Sequence, residues 1–370
     1  MTFSYQLERA DALAFQRFRT IGSCLRGGAH AWMLRGFALL ALVLALVEWR
    51  IGDPPTVVGL LLFAVAILLF PRAYWALVLG RCRKAVDDPQ NAHWMGRKTM
   101  TMTRGGLRIA EPGEESKLAW VNVIRGARTD DHIFLFVSTL EAVVIPRASL
   151  EGASFEEVWT QAVAYLDDHH ERGGRQELEG ARPETIQGTP AVTFSYQLEE
   201  ADWKAFSAHH RQHSQGHGQH RWLARFAVLS VPLFPMILGL IRPPMDGDLV
   251  AICAAVGVIG FLFYPRILDG AAMRQAGRVA TDPANVHCLG RKTVTLSPEG
   301  LQVRGVGVEA SIAWTHIVKT ERTDDHIFIY LSSVGAMVIP RASLEGVSFD
   351  DVWARVNEYL SPKDEGNVPR

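Results

Sequence analysis

Neither sign of charge dominates this chain: 38 lysines and arginines stand against 39 aspartates and glutamates. That balance argues against a nucleic-acid binder with a broad basic face, so any basic patch must be local. Cysteine is scarce. Cys24, Cys82, Cys253 and Cys288 are the four present, no two form a Cys-x-x-Cys, and they occupy non-equivalent places. Neither a disulfide framework nor a zinc site is expected, and a reducing, cytosol-facing setting suits the polar segments. The first 35 residues are polar and arginine-bearing without a compact apolar core, so no cleavable signal peptide is expected. Gly96-Arg97-Lys98-Thr99 echoes the end of a phosphate-binding loop, but the full pattern is missing and the segment leads into a strand.

What the chain does have, it has twice. Thr129 to Gly152 opens Thr-Asp-Asp-His-Ile-Phe and closes Ile-Pro-Arg-Ala-Ser-Leu-Glu-Gly, and Thr323 to Gly346 repeats both, 194 positions on. Laid without a gap on Gly290 to Leu360, Gly96 to Leu166 gives 35 identities in 71 positions, and Thr-Phe-Ser-Tyr-Gln-Leu-Glu recurs at Thr2 and Thr193. A match of that length marks a duplicated unit, and each half, at about 165 to 170 residues, is long enough to bury its own core.

Apolar stretches Ala31 to Trp49 and Val57 to Leu79 flank the turn Gly52-Asp53-Pro54-Pro55, and Phe226 to Ile241 and Leu249 to Tyr264 flank Arg242-Pro243-Pro244. Their uninterrupted cores, about 11 to 16 residues, fall below the roughly 20 that a bilayer-spanning helix wants. Composition tips the balance toward lipid. Val57 to Phe70 holds 11 Val, Leu, Ile or Phe residues, worth about −3 to −7 kcal/mol on an insertion scale where a central arginine costs about 3. Arg17, Arg19 and Arg26 precede the first hairpin and Arg81, Arg83 and Lys84 follow it; Arg221, Arg225, Arg266 and Arg274 flank the second, and the turns are poorer in such residues. The positive-inside rule then turns both loops outward and leaves the polar segments in the cytoplasm. A soluble protein with buried helical hairpins is the competing reading.

After each hairpin the period shortens. Lys98 to Thr103, Leu107 to Ala110, Lys117 to Trp120, Val123 to Arg128, Ile133 to Val137 and Ala142 to Ile145 read as strands between turn residues. A helix follows, capped by Ser154 and Glu157, with Phe155, Val158, Trp159, Ala162 and Leu166 on one face; Ser348, Asp351, Phe349, Val352, Trp353, Val356 and Leu360 repeat it. With the N-terminal strand brought back beside the six, each half predicts seven strands and a C-terminal helix, which resembles a pleckstrin-homology (PH)-like barrel.

Four motifs carry a closer resemblance: Phe-Ser-Tyr-Gln-Leu (Phe3 to Leu7, Phe194 to Leu198), Trp-x-x-Ile/Val (Trp120 to Val123, Trp314 to Ile317), Thr-Asp-Asp-His (Thr129 to His132, Thr323 to His326) and Ile-Pro-Arg (Ile145 to Arg147, Ile339 to Arg341). On these residues each half resembles the bacterial YcxB-like family, a two-helix membrane hairpin followed by a PH-like domain, although members usually carry one copy. Pattern and resemblance together imply an α+β membrane protein of two repeats. Repeat 1 spans 1–166, with strand and helix at 2–30, a transmembrane hairpin at 31–79 and a seven-stranded PH-like barrel with its helix at 97–166. A linker at 167–191 leads to repeat 2 at 192–360, with strand and helix at 193–221, a hairpin at 222–268 and a barrel at 291–360, then a tail at 361–370. The resemblance places the protein in the bacterial inner membrane, multi-pass, with both termini cytoplasmic.

Candidate sites are few. Asp130, Asp131 and His132, with Asp324, Asp325 and His326, set two carboxylates beside an imidazole and could hold a metal or share a proton. The plainer reading is a turn made by side-chain hydrogen bonds to the backbone, with the histidine opening the next strand. Arg97, Lys98 and Arg147, with Arg291, Lys292 and Arg341, are candidates for anionic headgroups or a peptide carboxylate, against a plainer reading as solvated or locally paired side chains. His209, His213 and His217 share a helical spacing and suggest adventitious metal binding, not a site. The expected function is therefore non-enzymatic: a membrane protein presenting two cytoplasmic binding or scaffolding domains, without cofactor or metal. Its expected partners are membrane lipids and a protein or peptide, not nucleic acid. A metal-dependent enzyme is the alternative, and it requires the Asp-Asp-His turns to converge on a pocket.

Overall fold

The computed structural model describes residues 1–26, 82–139, 141–171, 191–213 and 288–361, with isolated positions between 39 and 80 and between 255 and 285. Alternation sets its first strand: β1 (Thr2–Leu7) turns Phe3 and Tyr5 into the core. It pairs antiparallel with β2 (Gly96–Thr103), Thr2 opposite Thr101. Tight turns lead on to β3 (Gly106–Glu111) and β4 (Glu114–Leu118). Trp120, expected at a strand end, lies instead in a 3₁₀ turn, Trp120–Asn122. The turn lets the indole enter the core and donate from Nε1 to the Thr103 carbonyl at 2.7 Å, which satisfies its one polar atom.

A separate three-stranded sheet follows, β5 (Arg125–Arg128), β6 (His132–Phe136) and β7 (Ala142–Pro146). A helix, Phe155–Glu171, closes the repeat and runs on into the stretch whose composition reads as linker. Its start is a reciprocal cap: Ser154 N donates to Glu157 Oε2 at 2.9 Å and Glu157 N to Ser154 Oγ at 3.3 Å. Phe155, Val158, Ala162 and Leu166 are buried as their spacing predicts.

Repeat 2 builds the same parts: β8 (Val192–Leu198), β9 (Gly290–Ser297), β10 (Gly300–Gly305), β11 (Val308–Ala313), β12 (Lys319–Arg322), β13 (His326–Tyr330), β14 (Ala336–Pro340) and a terminal helix (Phe349–Leu360). Each repeat has its own apolar core, centred on Met100, Ile133 and Val158 in one and on Val294, Ile327 and Val352 in the other. Truncating such a fully buried side chain to alanine costs about 2–5 kcal/mol. The two repeats share a sheet. Its order, β1-β2-β3-β4-β11-β10-β9-β8, joins them through β4 and β11.

Helices are inserted between β1 and β2 and between β8 and β9, beginning at Arg9–Arg26 and Glu200–His213. The compact units consequently do not follow the repeats. One compact unit is Met1–Phe15, Lys84–Ser207 and Ala276–Arg370, which contains all the described strands; the other is Gln16–Arg83 and Ala208–Gln275. The hairpins predicted at 31–79 and 222–268 lie largely outside the described residues, as do His217, most of the stretch read as linker and most of the tail. Among the described residues, no helix is long and apolar enough to cross a membrane.

Candidate functional site

Both Thr-Asp-Asp-His segments are turns closed by threonine. Thr129 N donates to the His132 carbonyl at 2.9 Å and His132 N to Thr129 Oγ1 at 3.1 Å; Thr323 and His326 repeat this at 2.9 and 3.0 Å. Asp130, Asp131, Asp324 and Asp325 are exposed. His132 Nε2 meets Asp11 Oδ1 at 2.8 Å, and His326 Nε2 meets Asp202 Oδ1 at 2.9 Å, in pairs largely shielded from solvent. The same aspartates cap the helices that leave β1 and β8, accepting from Glu8 N and Glu199 N at 2.8 Å. Each histidine thus seats the start of its repeat's inserted helix. Among the described residues, no group of three or more His, Cys, Asp or Glu side chains is placed to hold a metal ion.

The basic candidates are engaged locally. Arg97 pairs with Glu151 and Arg291 with Glu345, both at 2.5 Å and both exposed, so each pair contributes about 1 kcal/mol or less. Lys98 pairs with Glu111 in a shielded setting. Arg147 lies 4.1 Å over the Phe155 ring and 3.4 Å from Glu156, while Arg341 lies 4.1 Å over Phe349 and donates from Nε to the Asp324 carbonyl at 2.6 Å. Lys292 lies across Gly305, where repeat 1 has Glu111, and burial lowers its pKa.

Sequence reasoning missed where the two repeats meet. β4 and β11 pair antiparallel with Ser116 opposite Ala310, residues 194 positions apart and hence equivalent. Around that centre the backbone contacts come in twins. Ala119 N donates to the Gly307 carbonyl at 2.8 Å and Ala313 N to Gly113 at 2.9 Å. Gly113 and Gly307 have positive φ, 82° and 66°, and a Cβ on them would lie 2.8 Å from His316 Nε2 and 2.5 Å from Asn122 Nδ2. Only glycine suits both the turn and the close approach.

Asn91, fully buried, donates from Nδ2 to Ser333 Oγ at 2.7 Å and accepts from Ser333 N at 2.8 Å. Asn285, its equivalent, does the same to Thr139, at 2.9 Å each way. Each amide also holds its own segment, at the carbonyls of Ala85 and Val279, both at 2.6 Å. A 3₁₀ turn at Pro89–Trp94, started by Asp88 accepting from Gln90 N at 3.0 Å, presents Asn91 to the other repeat. The signal was there: Asp-Pro-x-Asn-x-His occurs at Asp88 to His93 and again at Asp282 to His287.

The two junctions differ in chemistry. At one, the His93 and His316 rings lie 5.6 Å apart, and His316 Nδ1, buried and without a hydrogen-bond partner, faces Glu114 Oε2 at 3.7 Å. Burial, then the Glu111 charge, raises the Glu114 pKa; burial, then His316, lowers that of His93. At the other, Ser138, Glu141, Trp203, Val279, Asn285, Cys288 and Leu289 line a cavity of about 40 Å³. Burial, with Glu141 adding to it, pushes the Cys288 thiol up to about 11. Among the described residues, neither junction presents an activated nucleophile.

The family model described as YcxB-like protein matches residues 103–158 and, a second time, 296–351. No curated protein and no solved structure matches the chain.

Proposed function

We propose, from the premise that the chain is a tandem duplication of YcxB-like units, that it is an integral membrane protein whose two PH-like domains form one cytoplasmic binding or scaffolding platform. Seven strands and a closing helix in each repeat support the PH-like reading. One observation carries the membrane reading. At the described positions of the helical unit, Leu39, Leu46, Val58, Val65, Ile259 and Leu262 are exposed, while the buried apolar residues are Ala45, Ala64 and Val57. A water-soluble helix does the reverse, because burying the large apolar groups is what stabilises it. Mostly large apolar residues outward, with two alanines and one valine inward, suit helices solvated by acyl chains.

The arginines and lysines flanking each hairpin support a cytoplasmic position for the strands, on the inner face of a bacterial cytoplasmic membrane. The local pairing of Arg97, Arg147, Arg291 and Arg341 favours a protein or peptide as the platform's partner over a bound headgroup. Exposed aspartates in both Thr-Asp-Asp-His turns, with their histidines committed to Asp11 and Asp202, favour binding over metal-dependent catalysis. Carbonate extraction of membranes from expressing cells tests the anchor. The protein should stay in the pellet and be released by detergent; a monomer recovered in detergent-free buffer would overturn the reading.

A further inference from the structure

We infer that the seam between the repeats is a heterospecific dimer interface folded into one chain: across β4 and β11, a first-type repeat fits a second-type repeat and not a copy of itself. Ser116 against Ala310, the Ala119–Gly307 and Ala313–Gly113 bonds, and the Asn91–Ser333 and Asn285–Thr139 clamps all obey the rule of a twofold contact, in which residue i meets j and the equivalent of j meets the equivalent of i.

The side chains that break the twofold then decide which pairs fit. Trp94 stands where the second repeat has Cys288, and Gly335 where the first has Glu141. Pairing the first repeat with itself would bring Trp94 to the place of Cys288 beside Glu141 at both junctions, where the cavity offers about 40 Å³ and no indole fits. The same pairing would put Asn122 in the place of His316, leaving Glu111 and Glu114 facing each other with Lys98 as the remaining counter-charge. Pairing the second repeat with itself would set Cys288 against Gly335, enlarging the void, and would replace the 3.4 Å Lys117–Glu309 contact by Glu309 opposite Ser311. The mixed pair alone avoids all four defects.

A protease site inserted between Gly173 and Gly174 of the full chain, cut after purification, tests this whether the protein is recovered from membranes or from buffer. Native mass spectrometry should show the halves held together one to one. Mixing with isotope-labelled cut protein should yield first–second pairs and no others. Separation into monomers, or self-pairs at statistical proportions, would overturn the inference. Asn91→Ala with Asn285→Ala should raise the dissociation rate of the cut pair at least tenfold. An unchanged rate, with unchanged circular dichroism, would also overturn it.

Discussion

Glu114 and His93 look onto the same junction with opposite demands on pH. Held above its ordinary 4.5, the Glu114 carboxyl binds its proton more tightly folded than unfolded, so stability falls as pH rises from that value through the raised folded one. His93, held below its ordinary 6.5, removes stability as pH falls through that value. In urea titrations across about pH 4 to 8, Glu114→Gln should therefore be more stable than the parent at neutral pH, with the gap closing in acid. A gap that widens in acid would contradict the assignment. Cys288 offers a second test. A thiol moved from 9 to about 11 carries about a hundredfold less thiolate at pH 8, so a variant with Cys288 as its sole cysteine should alkylate about a hundredfold more slowly than an ordinary thiol. Glu141→Gln, which removes one cause of the shift, should speed the reaction. At this scale the sequence showed which polar residues recur and not whom they meet. Asn91 lies in a legible turn, but nothing local names Ser333, 242 positions away, as its partner.

Elements were far more legible. Five of the six short strands and the capped helix stand close to where the strand patterns and the Ser154 and Ser348 caps put them, because each is decided within a few residues, while β4 starts at Glu114, three residues before the expected Lys117. The shift at Trp120 came from tertiary demand: an indole N–H entering the core needs an acceptor, and a 3₁₀ turn brings Thr103 within reach. Ser348 Oγ accepts from Asp351 N at 3.1 Å, so Ser348→Ala should cost about 1 kcal/mol, read as a lower urea midpoint at unchanged slope. An unchanged midpoint would mean that packing of Phe349 and Val352, and not the cap, fixes the helix start. The pairing of β4 with β11 was not legible. Glu114, Glu115 and Lys117 give β4 the polar look of an exposed edge strand, while the ladder that joins it to β11 is made by backbone groups that no side-chain pattern marks.

At the scale of the whole molecule, duplication has produced one sheet from two half-sheets, with a helical insertion within each half. That arrangement sets a timetable for synthesis. β1 leaves the ribosome with its partner 99 positions behind it, Thr2 awaiting Thr101, and β4 waits longer still, with Lys117 and Glu309 separated by 192. At about 5–20 residues per second the nascent β4 stays without β11 for about 10–40 s. Neighbouring chains on one polysome present the same open strand during that interval. The charged side chains of Glu114, Glu115 and Lys117 keep that waiting edge hydrated until the proper mate has been translated.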